Sequence, residues 1–456
     1  MQRNRLILLG SIVLLAAAAI GPIRNYDLFW HLATGRWIAE HHALPSIDPF
    51  AVASDRIAWI NGEWLFQIVA YALASIGGLT LLSLMKGVLA GATFAPRSSE
   101  PTTIALHVLA FAGALRTFDF RPSSVAALFV ALAIQARSWI AHGAIALLWI
   151  NVHPSALLAP VIALLVTKRV APVVASAIAL LINPHHIHAI TAPLELLTFV
   201  QSGAFVNAEW LPSSVTQFPL LYIAIVIAAI AFFTNDKREW THVALLGIFA
   251  ILAIRGVRNQ PLFFAAFPLV VAPAIRWERI RPILAYAAAA LILLFAVMTS
   301  DHRLGVAPER FPIAAVARLQ STGLRGNIYN PDQFGGFLIW SFKNERRALT
   351  DGRNELYRTF IPEVAAARED QRKWIALLRK YQIDLAVEEY RAPLQVMNAA
   401  TRQKVAMPAS LAYWPRNRWA LIGYDDAAMV FARRDAFPRD VIERWEIRGV
   451  VPDAPR

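Results

Sequence analysis

Ionisable side chains are concentrated in one stretch near the N-terminus, residues 24–63. Asp27 and His31 are four residues apart, so a helix would carry both on one face. Glu63 lies at the far end of the stretch. Two carboxylates near one surface suit general-base activation of a hydroxyl or amine, or binding of a divalent cation beside a phosphate leaving group. Asp27, Glu63 and His31 are therefore candidate catalytic residues, and Asp27 and Glu63 are candidate ligands for Mg²⁺ or Mn²⁺.

The same stretch also has a structural interpretation. Its apolar residues Leu28, Trp30, Trp37 and Ile38 could place an amphipathic helix at a membrane interface, where tryptophan is favoured. Asp48 can form an Asx turn ahead of the following proline, and Glu63 can stabilise a helix N-terminus. Against this, a carboxylate as close to a membrane helix as Asp27 is costly unless it is paired or functional.

A second set of candidates lies in short turns between apolar segments. Guanidinium groups match phosphate oxygens bidentately, and imidazole can donate to the same oxygens. The candidates for binding a lipid phosphate are Arg116, Arg121, Arg255, Arg258, His153 and His185. Candidates for contacting the acceptor or supporting the other site residues are Asp48, Asp119 and Glu209. A zinc site at His185, His186 and His188 is an alternative, but no helical HxxxH pair supports it.

The elements that must position these residues are apolar. The chain is 57% hydrophobic and 16% charged, whereas soluble domains are about a quarter charged. Apolar runs recur through the first two thirds and predict a polytopic α-helical membrane protein with about 11 transmembrane helices. Their approximate spans are 6–23, 64–92, 102–115, 123–134, 140–150, a sixth ending at about 167, 170–182, 218–233, 242–254, 262–274 and 282–298.

Charge distribution predicts the orientation. Lys and Arg collect in alternate turns, which favours an N-terminus inside and a C-terminus outside, and the candidate residues fall at the outer turns. The first apolar segment lacks a small-x-small cleavage site, so we expect a retained helix rather than a removed signal peptide. The net charge of +13 fits this bias, and no basic face with interleaved aromatics indicates nucleic acid. The absence of cysteine excludes disulfides and thiolate chemistry.

The composition changes near residue 300. Residues 1–299 are predicted to form the transmembrane catalytic domain with a large first outer loop (24–63), and residues 300–456 a small extracytoplasmic α/β domain. Its predicted elements are a helix within 308–324, a strand at 326–330, strand and loop signals over 335–356, a helix followed by a strand at 372–390, and a hairpin over 418–434 with its turn near Tyr424.

Several motifs resemble those of a known superfamily. The stretches DLFWHLATGRWI, PSIDPF and GEWLFQ are similar to the first outer loop of a bacterial group of polytopic proteins in the GT-C glycosyltransferase superfamily. That superfamily includes protein O-mannosyltransferases, the lipid A aminoarabinose transferase and oligosaccharyltransferases. NVHPS, NPHH, NAEW and YNPDQFGGFLIWSF…LTDGRNELY also resemble the bacterial group. The chain lacks the paired Trp-Trp-Asp of oligosaccharyltransferases, and Asn61-Gly62 replace a histidine of related proteins.

The resemblance implies a GT-C-like fold and a transferase activity. A sugar would move from a polyprenyl-phosphate or polyprenyl-diphosphate carrier to an unidentified glycan, lipid or protein acceptor at the outer face of the bacterial cytoplasmic membrane. Asp27 would be the catalytic carboxylate and Glu63 a second acidic site residue. The alternatives are a non-enzymatic flippase or transporter for a lipid-linked precursor, and an assembly protein that binds a partner. The scarcity of charges within the helices favours the enzyme.

Overall fold

The structure, a computed structural model, describes residues 2–203, 207–235, 238–275, 281–343, 345–391, 393–397 and 404–450. It contains two compact units. The helical unit comprises Met1–Asn25 and Ile60–Gly305, and the α/β unit comprises Tyr26–Trp59 and Val306–Arg456. The expected division at residue 300 differs from this one, because most of the first loop belongs with the C-terminal residues.

The helical unit matches the predicted apolar segments closely. Its helices are α1 (Gln2–Ala19), α3 (Trp64–Thr93), α4 (Pro101–Ala114), α5 (Pro122–Gln135), α6 (Trp139–Ile150), α7 (Ala159–Thr167), α8 (Val170–Ala179), α9 (His188–Gln201), α10 (Pro219–Phe233), α11 (Trp240–Arg255), α12 (Gln260–Val271) and α13 (Pro282–Thr299). Short 3₁₀ turns lie at Pro154–Leu158, Ala208–Trp210 and Val257–Asn259.

Helix length does not confirm eleven crossings. Among the described residues, two helices, Trp64–Thr93 and Pro282–Thr299, are long and apolar enough to cross a membrane. The remaining apolar helices have 10–17 residues. The structure therefore confirms that these segments are apolar helices, and the number of crossings stays a prediction.

Helix α3 is broken at Gly78, whose φ of 63° and ψ of −162° are not helical. Beyond the break, Gly87 packs closely against α1: a Cβ there would come 2.6 Å from the Ala16 carbonyl oxygen. Lys86 donates a hydrogen bond to the Pro22 carbonyl oxygen at 3.1 Å. Lys86 therefore contacts the segment that directly follows α1.

The α/β unit contains helices from both of its chain segments. They are α2 (Leu28–His41), α14 (Ile313–Thr322), α15 (Asp332–Phe342), α16 (Phe360–Arg368), α17 (Gln371–Lys380), α18 (Ala409–Tyr413) and α19 (Arg439–Trp445). The strands are β1 (Asn327–Tyr329), β2 (Ile383–Glu389), β3 (Pro393–Met397), β4 (Lys404–Pro408), β5 (Trp419–Tyr424) and β6 (Ala428–Arg433). A four-stranded sheet has the order β1-β2-β6-β5; β1 is parallel to β2, and β6 is antiparallel to β2 and β5.

Helix α15 corrects the strand predicted over 335–342. A Cβ at Gly335 would overlap the Thr350 carbonyl, and one at Gly336 would come 3.0 Å from the Trp30 backbone nitrogen. The two glycines therefore allow a helix to pack directly against two backbone segments. Close packing of this kind overrides the β propensity of the aromatic and branched residues that follow.

Helix α2 is part of the core of the α/β unit. Leu28, Trp30 and Ile38 are all less than 9% exposed, so they do not form the membrane-interface face suggested by the sequence. Phe29 packs edge-on against Phe311 at 5.1 Å and Phe337 at 4.8 Å between ring centroids. Burying an aromatic side chain of this size contributes about 1.5–3 kcal/mol, which explains why this loop helix folds with distant residues.

Candidate functional site

Arg121 and Glu209 form a bidentate ion pair in the helical unit. Arg121 Nη1 lies 2.5 Å from Glu209 Oε1, and Nη2 lies 2.8 Å from Oε2. Arg121 directly precedes α5, and Glu209 lies in the 3₁₀ turn Ala208–Trp210, so residues 88 positions apart meet. The Arg121 side chain is 12% exposed and the Glu209 side chain 40%. A guanidinium in this arrangement already makes the paired bonds that a phosphate would use.

Arg258 contacts Trp210, the residue that directly follows Glu209, and both arginines act electrostatically on His153. The Arg258 guanidinium is 4.3 Å from the centroid of the Trp210 ring. Burial lowers the pKa of His153 well below its usual range, and the Arg258 and Arg121 guanidinium groups lower it further. We call Arg121, Arg258, His153, Glu209 and Trp210 the arginine cluster.

His153 is neutral in this arrangement. Its Nδ1 accepts a hydrogen bond from the Ser155 N–H at 3.1 Å and lies 2.7 Å from Ser155 Oγ. Trp149 Nε1 donates to the same hydroxyl oxygen at 3.1 Å. Because Nδ1 is an acceptor, these partners assign the proton to Nε2, which leaves an N–H donor on a neutral ring. The cluster thus combines two cations, one carboxylate and one neutral N–H donor.

The other predicted phosphate-binding residues lie outside these contacts. Arg116 donates to the Gln217 carbonyl oxygen at 3.0 Å and lies over the Phe218 ring. Arg255 is exposed in the last turn of α11. Burial lowers the pKa of the half-buried His185. The structure therefore brings together Arg121, Arg258 and His153 of the six candidates.

Asp119 fixes backbone in the helical unit. Its Oδ2 accepts the N–H groups of Arg24 at 2.6 Å and Asn25 at 2.8 Å, and its Oδ1 accepts the Phe120 N–H at 2.8 Å. Lys86 Nζ is 4.0 Å from Oδ1. These contacts give Asp119 a structural role in holding the end of the segment that follows α1.

The predicted pair of Asp27 and Glu63 is divided between the two units. Glu63 precedes α3 in the helical unit, and its N–H donates to Asn61 Oδ1 at 3.4 Å. Asp27 belongs to the α/β unit. Within the described ranges, no group of three or more His, Cys, Asp and Glu side chains is arranged to hold a metal ion.

Asp27 lies just before α2 and is half-buried. Trp30 Nε1 donates a hydrogen bond to its Oδ1 at 3.2 Å. The same oxygen lies directly against Gly352, where a Cβ would overlap it. His31, one turn further along α2, is buried, and its ring centroid is 3.7 Å from that of Trp30. The predicted helical face with Asp27 and His31 therefore exists, with Trp30 between the two side chains.

Asp48 belongs to a fully buried ionic network. Arg353 Nη1 donates to Asp48 Oδ1 at 2.8 Å, and Arg353 Nη2 donates to Asp351 Oδ2 at 2.5 Å. Asp48 also accepts the Phe50 N–H at 3.2 Å, as an Asx turn requires, and the Ser54 hydroxyl. Burial alone would lower the pKa of Arg353, but the two carboxylates raise it well above the usual value. Asp48 thus has the structural role that its sequence context suggested.

Sequence reasoning missed Arg353 and Glu355, which lie in the Asp-Gly-Arg-Asn-Glu stretch. Burial raises the pKa of the half-buried Glu355, the Arg353 guanidinium opposes this increase, and the carboxylates of Asp351 and Asp27 add to it. A perturbed carboxyl group near another carboxylate is typical of functional sites. The motif DGRNELY, which resembles that of the bacterial group, could have drawn attention to this stretch. Its distance in sequence from Asp27 hides the contact between Gly352 and Asp27.

The chain was also compared with known proteins. It matches a crystal structure of the Archaeoglobus fulgidus oligosaccharyltransferase in complex with Zn and sulfate, with a TM-score of 0.53 and 10% sequence identity, over 95% of this chain and 74% of that chain. A structure of that enzyme tethered to an acceptor peptide with the NVT sequon gives a TM-score of 0.46 at 10% identity, over 85% of this chain and 69% of that chain. Its complex with an inhibitory peptide and a dolichol-phosphate gives 0.44 at 10% identity, over 84% and 69%.

No protein-family model matches the sequence, and the comparison with curated proteins gives no match. The likeness to solved structures is therefore one of fold. A mostly helical chain with a C-terminal α/β region is common to both proteins. This chain is similar in fold to the archaeal oligosaccharyltransferase AglB, a GT-C glycosyltransferase, as its sequence motifs implied.

Proposed function

We propose that this protein is a membrane glycosyltransferase that moves a sugar from a polyprenyl-phosphate or polyprenyl-diphosphate carrier to an acceptor hydroxyl or amine. The observation that carries the proposal is the arginine cluster. Arg121, Arg258 and neutral His153 come together in a helical unit of GT-C-like fold. Guanidinium pairs and a neutral N–H donor complement the charge that develops on a departing lipid phosphate.

Asp27 is proposed as the general base. It would accept the acceptor's proton while the acceptor oxygen or nitrogen bonds to the anomeric carbon. The bond from that carbon to the phosphate oxygen breaks in the same displacement, and the phosphate leaves with the electron pair. Asp27 suits this role because it is half-buried and held by Trp30 Nε1, which fixes the carboxylate without neutralising it.

We also propose a location and an orientation for the protein. The protein would lie in the bacterial cytoplasmic membrane with its N-terminus inside and its α/β unit outside, as the charge of the turns favours.

A requirement for Mg²⁺ or Mn²⁺ is proposed by analogy with the metal in the archaeal structure. Within each unit the described residues do not gather a metal site, so no step above depends on a cation. Loss of transfer in EDTA and its recovery with Mg²⁺ or Mn²⁺ would establish the requirement.

Substitution of the base tests the proposed function. Purified protein would be reconstituted with bacterial polar lipids and radiolabelled polyprenyl-linked sugars, with membrane extract as the source of acceptors. Asp27→Asn should reduce transfer at least about 100-fold, the upper part of the usual contribution of general-base catalysis. The matched control is Asp55→Asn, an exposed carboxylate in the same segment that pairs with Arg347 at 3.1 Å, and it should leave transfer unchanged. Wild-type transfer by Asp27→Asn would reject the assignment.

A further inference from the structure

We infer that the turn Asp351-Gly352-Arg353 is a positioning element for Asp27. Gly352 forms the surface against which the carboxylate rests, and the buried ionic network around Arg353 holds Gly352 in place. The inference rests on the proposed function, in which Asp27 is the base, and adds to it a second part of the chain that determines where that base points.

The first observation is the contact at Gly352. A Cβ there would overlap Asp27 Oδ1 and come 3.8 Å from Trp30 Nε1. Gly352 does not have a left-handed φ, so its backbone would accept alanine. The glycine is therefore required for space, and the space it leaves is filled by one carboxylate oxygen. The same oxygen accepts a hydrogen bond from the indole N–H of Trp30 at 3.2 Å.

The second observation is that both neighbours of Gly352 are locked. The Arg353 N–H and Nε donate to Asp351 Oδ1 at 2.9 and 2.8 Å, and Tyr357 Oη donates to Asp351 Oδ2 at 2.8 Å. Arg353 also reaches Asp48 at 2.8 Å, which ties the turn to the first loop. Both side chains of the Arg353–Asp351 pair are fully buried. Gly352 therefore has little freedom to move away from Asp27.

The same network contacts the tryptophan that holds Asp27. The Arg353 guanidinium lies 5.7 Å from the Trp30 ring centroid and 4.5 Å from that of Trp59. Buried ion pairs contribute little net stability because desolvation offsets their attraction. Stability alone therefore does not account for a network built on both sides of a glycine. The pre-organisation of one carboxylate does account for it, because a displacement of about 1 Å at a catalytic group costs about 100-fold in rate.

Gly352→Ala in the full-length, reconstituted protein tests the inference. We expect kcat for sugar transfer to fall about 10- to 100-fold, with the acceptor KM within about threefold because substrate contacts are kept. Gly62→Ala is the matched control, since a Cβ there meets nothing within 4 Å, and it should match wild type. Tyr357→Phe removes the hydroxyl that donates to Asp351 and accepts from Ser54, and it should cause a smaller loss of kcat, again without a change in KM.

A second measurement does not depend on activity. Hydrogen–deuterium exchange at the start of α2, where the His31 N–H donates to the Asp27 carbonyl oxygen, should be faster in Gly352→Ala than in Gly62→Ala. In the Asp27→Ala background, which removes the obstructing carboxylate, Gly352→Ala should have little further effect on exchange at the start of α2. Unchanged exchange and unchanged kcat in Gly352→Ala would overturn the inference, as would an equal effect in the Asp27→Ala background. If the wild type transfers no sugar, the proposed function fails, and the exchange result alone decides whether Gly352 positions Asp27.

Discussion

The Arg121–Glu209 pair determines how readily an anion reaches the arginine cluster. Glu209 engages both terminal nitrogens of the Arg121 guanidinium, so the proposed lipid phosphate would have to displace a carboxylate that makes the same bonds. Glu209 is 40% exposed and Arg121 is 12% exposed, which makes the carboxylate the partner that can leave. Glu209 was predicted to contact the acceptor or support other site residues, and its geometry fits support through Arg121.

Glu209→Gln should therefore bind polyprenyl phosphate more tightly. An uncharged amide competes less well for Arg121, because charge-assisted hydrogen bonds are about twice as strong as neutral ones. A gain of about 1.4 kcal/mol corresponds to about tenfold in Kd, measured by titration of detergent-solubilised protein with a fluorescent polyprenyl phosphate. Glu239→Gln is the control, because Glu239 forms an exposed pair with Lys168 in the same unit. Weaker binding by Glu209→Gln would show that Glu209 helps to build the phosphate site.

Residue types were predictable at this cluster, whereas their pairing was not. Arg121, Arg258 and His153 were identified because arginine and histidine at the predicted outer turns run against the usual charge bias of membrane proteins. Arg116 and Arg255 satisfy the same criterion, yet the structure places them in other contacts. Arg353 was missed because its motif, although it resembles that of the bacterial group, does not show that the arginine is buried. Only its carboxylate partners, one of them 305 residues away, reveal that it is buried.

At the scale of elements, apolar runs predicted the long helices, and glycines lie where the structure departs from the prediction. Long apolar runs such as Trp64–Thr93 and Pro282–Thr299 were predicted within a few residues. The β5–β6 hairpin was also predicted, with Tyr424 at its turn. Helix α15 was assigned wrongly because the need for close backbone packing at Gly335 and Gly336 is a tertiary requirement that local propensity does not contain.

The break in α3 predicts an effect of substituting Gly78. A φ of 63° with a ψ of −162° lies in a region that is essentially restricted to glycine. Gly78→Ala should destabilise the protein by about 1–3 kcal/mol, although nothing lies within 4 Å of an added Cβ. Gly247→Ala, at an equally open site within α11, should be neutral or stabilising by up to about 1 kcal/mol. Thermal unfolding in detergent compares them, and equal melting temperatures would show that the break is not required.

At the scale of the whole molecule, the α/β unit is assembled from chain segments more than 240 residues apart. The first loop supplies α2 and Asp48, and the C-terminal residues supply Phe311, Phe337 and Arg353. Composition changes near residue 300, so a boundary there was predictable. The assignment of residues 26–59 to the C-terminal unit was not, because the contacts that define it join residues far apart in the sequence.

Removal of Val306–Arg456 should therefore unfold the first loop as well. Without Phe311 and Phe337 the buried face of α2 has lost its packing partners, and without Arg353 the buried Asp48 is left uncompensated, which costs about 3–5 kcal/mol. Trypsin should then cleave after Arg36, a half-buried residue within α2, much faster than in the full chain. Mass spectrometry of the peptides measures this rate. A chain that ends at Val450 is the control and should resist cleavage there. Equal protection of Arg36 in the two truncated chains would mean that α2 folds without the C-terminal residues, and Asp27 would then owe its position to its own segment alone.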